Sequence, residues 1–187
     1  SSNRPVARLF RGLKTFFDFY PKLICGLDKV FNMASVEQEV LIAVDPGANG
    51  GYCVCLGSPR AMTAHNLKSP SEFTEHVHEL LEMNEGFVRG IVEDVPPFCG
   101  VAVPSHTSFK LGRNFGMIEG IFRGLKIPYE LVSPKRWQTG LPLKGLKGSE
   151  RKRALRDNAS RLYPDLKPTL KTADAILLCD YFYKHKT

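Results

Sequence analysis

The sequence predicts an α/β layered domain, and three observations carry that prediction. Three short apolar segments, separated by glycine-bearing turns, are connected too closely for anything but an antiparallel meander. A later apolar run over Phe87–Val95 suits a strand buried on both faces. Stretches with helical periodicity separate and follow the strands, which is the pattern of a sheet covered by helices.

Taken in order, Val40–Val44 is a short strand that ends at Asp45-Pro46-Gly47, and Gly51–Leu56 is a second strand after a glycine turn. Ala61–Leu67 is the third. Ser71 is expected to cap a helix to about Glu85, with Phe73, Val77, Leu80 and Leu81 on one face and glutamates outside. Phe87–Val95 is the fourth strand and Pro96–Ser105 a loop. His106–Leu125 reads as a helix despite four glycines. Tyr129–Val132 is the fifth strand, stopped by Ser133-Pro134. After a Gly- and Lys-bearing loop, Ser149 is expected to cap Glu150–Tyr163, and Thr169 a last helix through about Tyr183.

With 187 residues, the chain suffices for one domain with a sizeable core and not for two full ones. Residues 37–187 form that domain. Residues 1–36 read as a basic amphipathic extension, in which six Lys and Arg interleave with Leu9, Phe10, Leu13, Phe16 and Phe17. A targeting segment, a partner-binding helix and a helix packed on the domain all fit it. No apolar run approaches the ~20 residues of a membrane span. Five cysteines without a C-x-x-C pair fit neither a disulfide scaffold nor a structural zinc site, so a reducing compartment is expected.

Net charge is +7, and its placement matters more than its size. Lys135–Arg161 holds nine basic residues against two acidic ones, so the remainder of the chain is neutral overall. Such a cluster suits a polyanion, because Lys and Arg displace counterions condensed on phosphates. A solvated helix face has the same composition, and charge alone leaves both readings open.

Three carboxylates stand at costly positions. Asp45 ends the first strand, Glu93 ends the fourth, and Asp174 lies in the apolar last helix between Ala173 and Ala175. Gathering them around a hard divalent cation resolves that cost, and Mg²⁺ prefers oxygen ligands. Asp94 points to the opposite side of its strand and is not counted among them.

Four motifs in order resemble the RuvC-type Holliday junction resolvases of the RNase H-like superfamily. They are Leu41-Ile42-Ala43-Val44-Asp45-Pro46-Gly47, Ile91-Val92-Glu93-Asp94-Val95, Ser108-Phe109-Lys110-Leu111-Gly112-Arg113 through Gly116, and Thr172-Ala173-Asp174-Ala175-Ile176-Leu177-Leu178. Val132-Ser133-Pro134-Lys135-Arg136-Trp137 looks like the short phage and organellar versions. The resemblance spans about residues 40–183. It implies an RNase H-like fold, a five-stranded mixed sheet with helices on both faces. It also implies a Mg²⁺-dependent endonuclease, with Mn²⁺ as a substitute, that cuts four-way DNA junctions in a DNA-containing compartment: cytoplasm with nucleoid, or an organelle.

By the same resemblance, Asp45, Glu93 and Asp174 match the metal-binding carboxylates. Three residues before the last Asp the family carries a fourth acid or a His, and here the residue is Lys171. One helical turn from Asp174, a lysine there fits two roles: neutralising the scissile phosphate in place of a cation, or marking weakened activity. The loop after the family's catalytic Glu holds an aromatic wedge, and Phe98 is the one aromatic in this loop. It suits either base stacking or packing under the loop. Lys110, Lys144, Lys147, Arg151 and Lys152 are expected to hold flanking phosphates.

Gly112, Gly116, Gly120 and Gly124 recur every four residues, and each costs a helix interior ~1 kcal/mol relative to Ala. Such a row lets another backbone approach, either the domain's own sheet or a second copy. The family's corresponding helix lines a two-fold interface, which implies a homodimer on helix 106–125 with Gly112, Phe115, Gly116 and Gly120 at the contact. Phe115, Ile118 and Phe122 would then be shared between core and interface. An actin-like ATP-binding fold is the first rival, and it needs a second Gly-rich phosphate motif and far more chain. The second rival is a non-catalytic binder of branched DNA, which metal-dependent cleavage would exclude.

Overall fold

A computed structural model describes residues 39–84, 87–95 and 104–185. The extension at 1–36 and the Phe98 loop lie outside the described residues. Five strands are present among the described residues: β1 (Val40–Val44), β2 (Gly51–Leu56), β3 (Met62–Asn66), β4 (Val88–Glu93) and β5 (Tyr129–Val132). The helices are α1 (Pro70–Met83), α2 (Ser105–Gly124), α3 (Pro134–Trp137), α4 (Gly148–Leu162) and α5 (Ala173–His185), with a 3₁₀ turn at Pro164–Leu166. No helix of the described residues is long and apolar enough to cross a membrane.

The strands form one mixed sheet in the order β3-β2-β1-β4-β5. The β1, β2 and β3 segments make the expected antiparallel meander, while β1 and β4, and β4 and β5, pair in parallel. This is the topology of the RNase H-like fold. Helices cover both faces. Val40, Ile42 and Val44 pack with Phe73, Val77 and Leu80 of α1 and Ile118 and Phe122 of α2. Leu41 and Ala43 pack on the other side with Leu155 of α4 and Ile176, Cys179 and Phe182 of α5. Period-two alternation along β1 thus assigns one layer of helices to each parity of residue.

The turn from β1 to β2 admits glycine alone at one point: a Cβ on Gly50 would lie 2.0 Å from the Asp45 carbonyl oxygen. At Gly51 a Cβ would come within 2.6 Å of the Lys171 carbonyl and 2.7 Å of the His65 carbonyl. Here the chain before α5 crosses closely over β2.

Several boundaries differ from expectation for local reasons. The α1 cap is Ser69 rather than Ser71; its Oγ accepts the Glu72 N–H, and Pro70 takes the first helical position, where its missing N–H costs nothing. Lys147 rather than Ser149 precedes α4, without a side-chain cap. Thr169 does accept backbone N–H groups, from Lys171 and Thr172, but it closes a separate turn, and α5 starts only at Ala173. The α3 turn was not expected. In β4 the buried run is interrupted by exposed Arg89, which lies 3.6 Å from Glu39.

Helix α2 presents its glycines outward: a Cβ added at Gly112, Gly116, Gly120 or Gly124 would meet nothing within 4 Å. Packing against the domain's own sheet therefore does not explain them. Ile118 and Phe122 are wholly buried in the core, so their expected share in an interface is corrected; Phe115 is half-buried.

Candidate active site

Two strand ends and one helix start build the site. Val44 of β1 stands beside Val92 of β4 in a parallel register, so the next residue on each strand, Asp45 and Glu93, is also side by side. Parity carries both toward the α4/α5 layer, following Leu41, Ala43 and Ile91. Asp94 continues the pairing with β5 through its N–H to the Val132 carbonyl at 2.9 Å, and parity sends its side chain the other way. Asp174 enters from the first turn of α5, where a carboxylate is favoured by the unpaired N–H groups of the helix start. Asp45 and Asp174 are both buried.

The cation among these acids is Lys152 of α4. Its Nζ lies 2.5 Å from Asp174 Oδ2 and 3.7 Å from Asp45 Oδ2. The lysine side chain is 47% exposed, against 6% and 8% for the two carboxylates, so it reaches in from solvent. Lys152 thus contacts the acids themselves rather than standing with the outlying basic residues. Lys171 does not occupy the expected helical position. It lies in the turn ahead of α5 and is exposed, with its carbonyl against Gly51.

Negative charge exceeds positive in this cluster, and the acids register it. Burial raises the Glu93 carboxyl to about 8, helped by the Asp45 and Asp174 charges and opposed by Lys152 and the Trp137 N–H. Burial also raises Asp45, with the Lys152 ammonium and the Gly47 N–H holding it back and the Asp174 charge adding to it. Burial would lower Lys152, but Asp174, Asp45 and Glu93 outweigh it and its pKa is raised. Asp174 Oδ1 is buried with no hydrogen-bond partner. A buried acceptor left unmade is costly, and here it belongs to a cluster short of positive charge.

Three hard oxygen donors, one of them orphaned, have the chemistry that a divalent ion such as Mg²⁺ needs. The residues that fit it are Asp45, Glu93 and Asp174. As the side chains stand, no three His, Cys, Asp or Glu among the described residues are gathered tightly enough to hold one ion, and an ammonium lies between two of the acids. By its chemistry the donor set suits such an ion, but as they stand the three acids do not converge on one point and the Lys152 ammonium lies between two of them.

Two supports escaped the sequence reading. The Trp137 indole Nε1 donates to Glu93 Oε2 at 2.9 Å. Asn114 of α2 donates its side-chain amide to the Gly47 carbonyl at 3.3 Å, and the Gly47 N–H donates to Asp45 Oδ1 at 2.8 Å. Both residues fall inside the motifs quoted above, but nothing in sequence spacing tells which acid each supports.

Among the expected phosphate contacts, Lys110, Lys144 and Lys147 are exposed. Arg151 is half-buried and turned inward, donating to the Gln138 side-chain carbonyl and to the Leu143 carbonyl.

Neither a family model nor a curated protein sequence matches this chain. Solved structures do resemble it. Thermus thermophilus RuvC in complex with Holliday junction substrate aligns at 17% identity and a TM-score of 0.46, over 78% of this chain and 95% of that one. A second Thermus thermophilus RuvC structure aligns at 17% identity and 0.41, over 79% and 97%. The yeast mitochondrial Holliday junction resolvase Ydc2 aligns at 13% identity and 0.35, over 79% and 82%.

Proposed function

We propose that the protein is a Mg²⁺-dependent, structure-selective endonuclease that resolves four-way DNA junctions by paired cuts, acting as a homodimer. The observation that carries this reading is that Asp45, Glu93 and Asp174, three acids distant in sequence, come near enough for their charges to act on one another, with one buried carboxylate oxygen of Asp174 unpartnered. The four ordered motifs supply the substrate class.

A divalent ion held by the three acids would activate water for attack on the phosphodiester and stabilise the leaving oxygen. Lys152 then moves from its ion pairs toward the phosphate entering the site. Exposed Lys110, Lys144 and Lys147 hold flanking phosphates and position the DNA without reading sequence. The outward glycine face of α2 supports docking of a second copy, and a junction with two opposed strands calls for two sites related by a two-fold axis.

The seat of the Lys152 ammonium between Asp45 and Asp174 favours a second reading, a binder of branched DNA whose acids stay neutralised by the lysine. One experiment separates the two. Labelled four-way junctions are incubated with the protein with and without Mg²⁺. Paired, metal-dependent incisions are expected, and retention of the junction without cleavage would establish the second reading.

A further inference from the structure

We propose that Trp137 is the positioning residue for Glu93: its indole N–H fixes one carboxylate oxygen and so sets the direction in which the other meets a divalent ion. The inference rests on the metal-binding part of the reading above.

The argument begins in the sheet. Glu93 pairs in register with Val132 at the end of β5, and Ser133-Pro134 turns the chain immediately afterwards. The Arg136 and Trp137 N–H groups both bond to the Ser133 carbonyl, which winds a single tight turn. Trp137 is delivered by that turn back over the neighbouring strand's last side chain, 2.9 Å from its Oε2. It is only 2% exposed and packs in the core with Leu143, Leu155 and Ile176.

A buried indole N–H requires an acceptor. Here the acceptor is an acid already crowded by two other acids, so a residue chosen for bulk alone would omit the donor. A glutamate at a strand end has three rotatable side-chain bonds, and one fixed oxygen removes most of that freedom before an ion arrives. Partners of this kind behind metal-binding carboxylates are typically worth 10–100-fold in metal affinity or activity. Trp137 is also the chain's single tryptophan, so its emission reports on the oxygen it holds.

The test uses the full chain, with Mn²⁺ affinity read by electron paramagnetic resonance and Mg²⁺ binding followed by tryptophan emission. Trp137→Phe keeps an aromatic side chain, though smaller than the indole, and deletes the donor. The variant is expected to bind Mn²⁺ about tenfold more weakly, with junction affinity unchanged. In the wild type Mg²⁺ should shift the emission, and Glu93→Gln should abolish the shift; this arm stands even if the Phe variant does not fold. Wild-type Mn²⁺ affinity in Trp137→Phe, or emission unmoved while the wild type binds metal, would overturn the positioning role alone. A wild type that binds neither ion would overturn the metal reading and this inference together.

Discussion

Lys152 and Asp174 form an ion pair of 2.5 Å across two helices, α4 and α5, that are joined by the 3₁₀ turn. A half-exposed lysine and a buried aspartate hold each other, and the same ammonium reaches Asp45 at 3.7 Å. On the function proposed above, the ammonium supplies these acids with the positive charge that a bound cation would otherwise bring.

Removal of that lysine should therefore have two opposite consequences. Lys152→Ala is expected to lower metal-free stability by about 1–2 kcal/mol, since it strands two buried acids while water already screens the lysine. Added Mg²⁺ should recover more stability in the variant than in the wild type, while cleavage falls. Lys171→Ala, altering an exposed residue, should leave both properties unchanged. Thermal melts with and without Mg²⁺ check both variants, and a Lys152→Ala protein as stable as wild type without metal would remove the pair from the account.

Asp45→Asn, Glu93→Gln and Asp174→Asn should each abolish cleavage while junction binding survives, because each removes a donor for the ion and leaves the basic surface intact. Gel-shift and cleavage assays on the same junction separate the two effects. Near-normal turnover in any one variant excludes that residue from the site.

Acidity should act on stability in a defined window. The folded Glu93 carboxyl titrates at about 8 against an ordinary value of 4.5, so the folded protein holds a proton that the unfolded chain has released. That contribution is full below 4.5 and is lost as pH rises through 8. Burial and neighbouring His76 lower His65 to about 4, so its contribution is present above 6.5 and lost as pH falls toward 4. From pH 7 to 8, then, His65 contributes little and the acids dominate. Urea unfolding without metal should show a loss of about 1 kcal/mol across that interval, flattened in Glu93→Gln. An equal slope in the variant would assign the loss elsewhere.

Gly116→Leu and Gly120→Leu should raise the helix propensity of α2 by ~0.8 kcal/mol each, since nothing in the domain opposes the new side chains. Dimerisation should weaken all the same, and paired incision should decay into single nicks. Light scattering at micromolar concentration checks the first, and product analysis on a closed junction the second. Paired cuts by a monomer would refute the dimer.

Elements whose cues are local were legible before any coordinates. An apolar run and its turn placed β1, a Ser-Pro stop bounded β5, and the strand-end positions of Asp45 and Glu93 marked them, with Asp174, as costly acids. The contact of Lys152 with Asp174 and Asp45 was not legible for a physical reason. Sequence offers helical offsets, and Lys171 stands three residues before Asp174; Lys152 is 22 residues away and arrives only through the packing of α4 beside α5. Trp137 was obscured similarly, because its partner lies 44 residues earlier on the adjacent strand. The Ser69 cap was legible in principle, since Pro70 directly behind it marks a first helical residue.

The strict division of β1 and β4 into two parities makes the site self-checking against insertions and deletions. One residue gained or lost within either strand would turn its acid into the α1/α2 layer and its apolar partners into the opposite one. Unless a bulge absorbed the change, such a chain would disturb both halves of its core at once. Two residues gained would keep the parity yet carry Asp45 or Glu93 about 7 Å along the strand, out of reach of its neighbour. Length variation is therefore better tolerated in the segments between strands, where it leaves the ends of β1 and β4 in register.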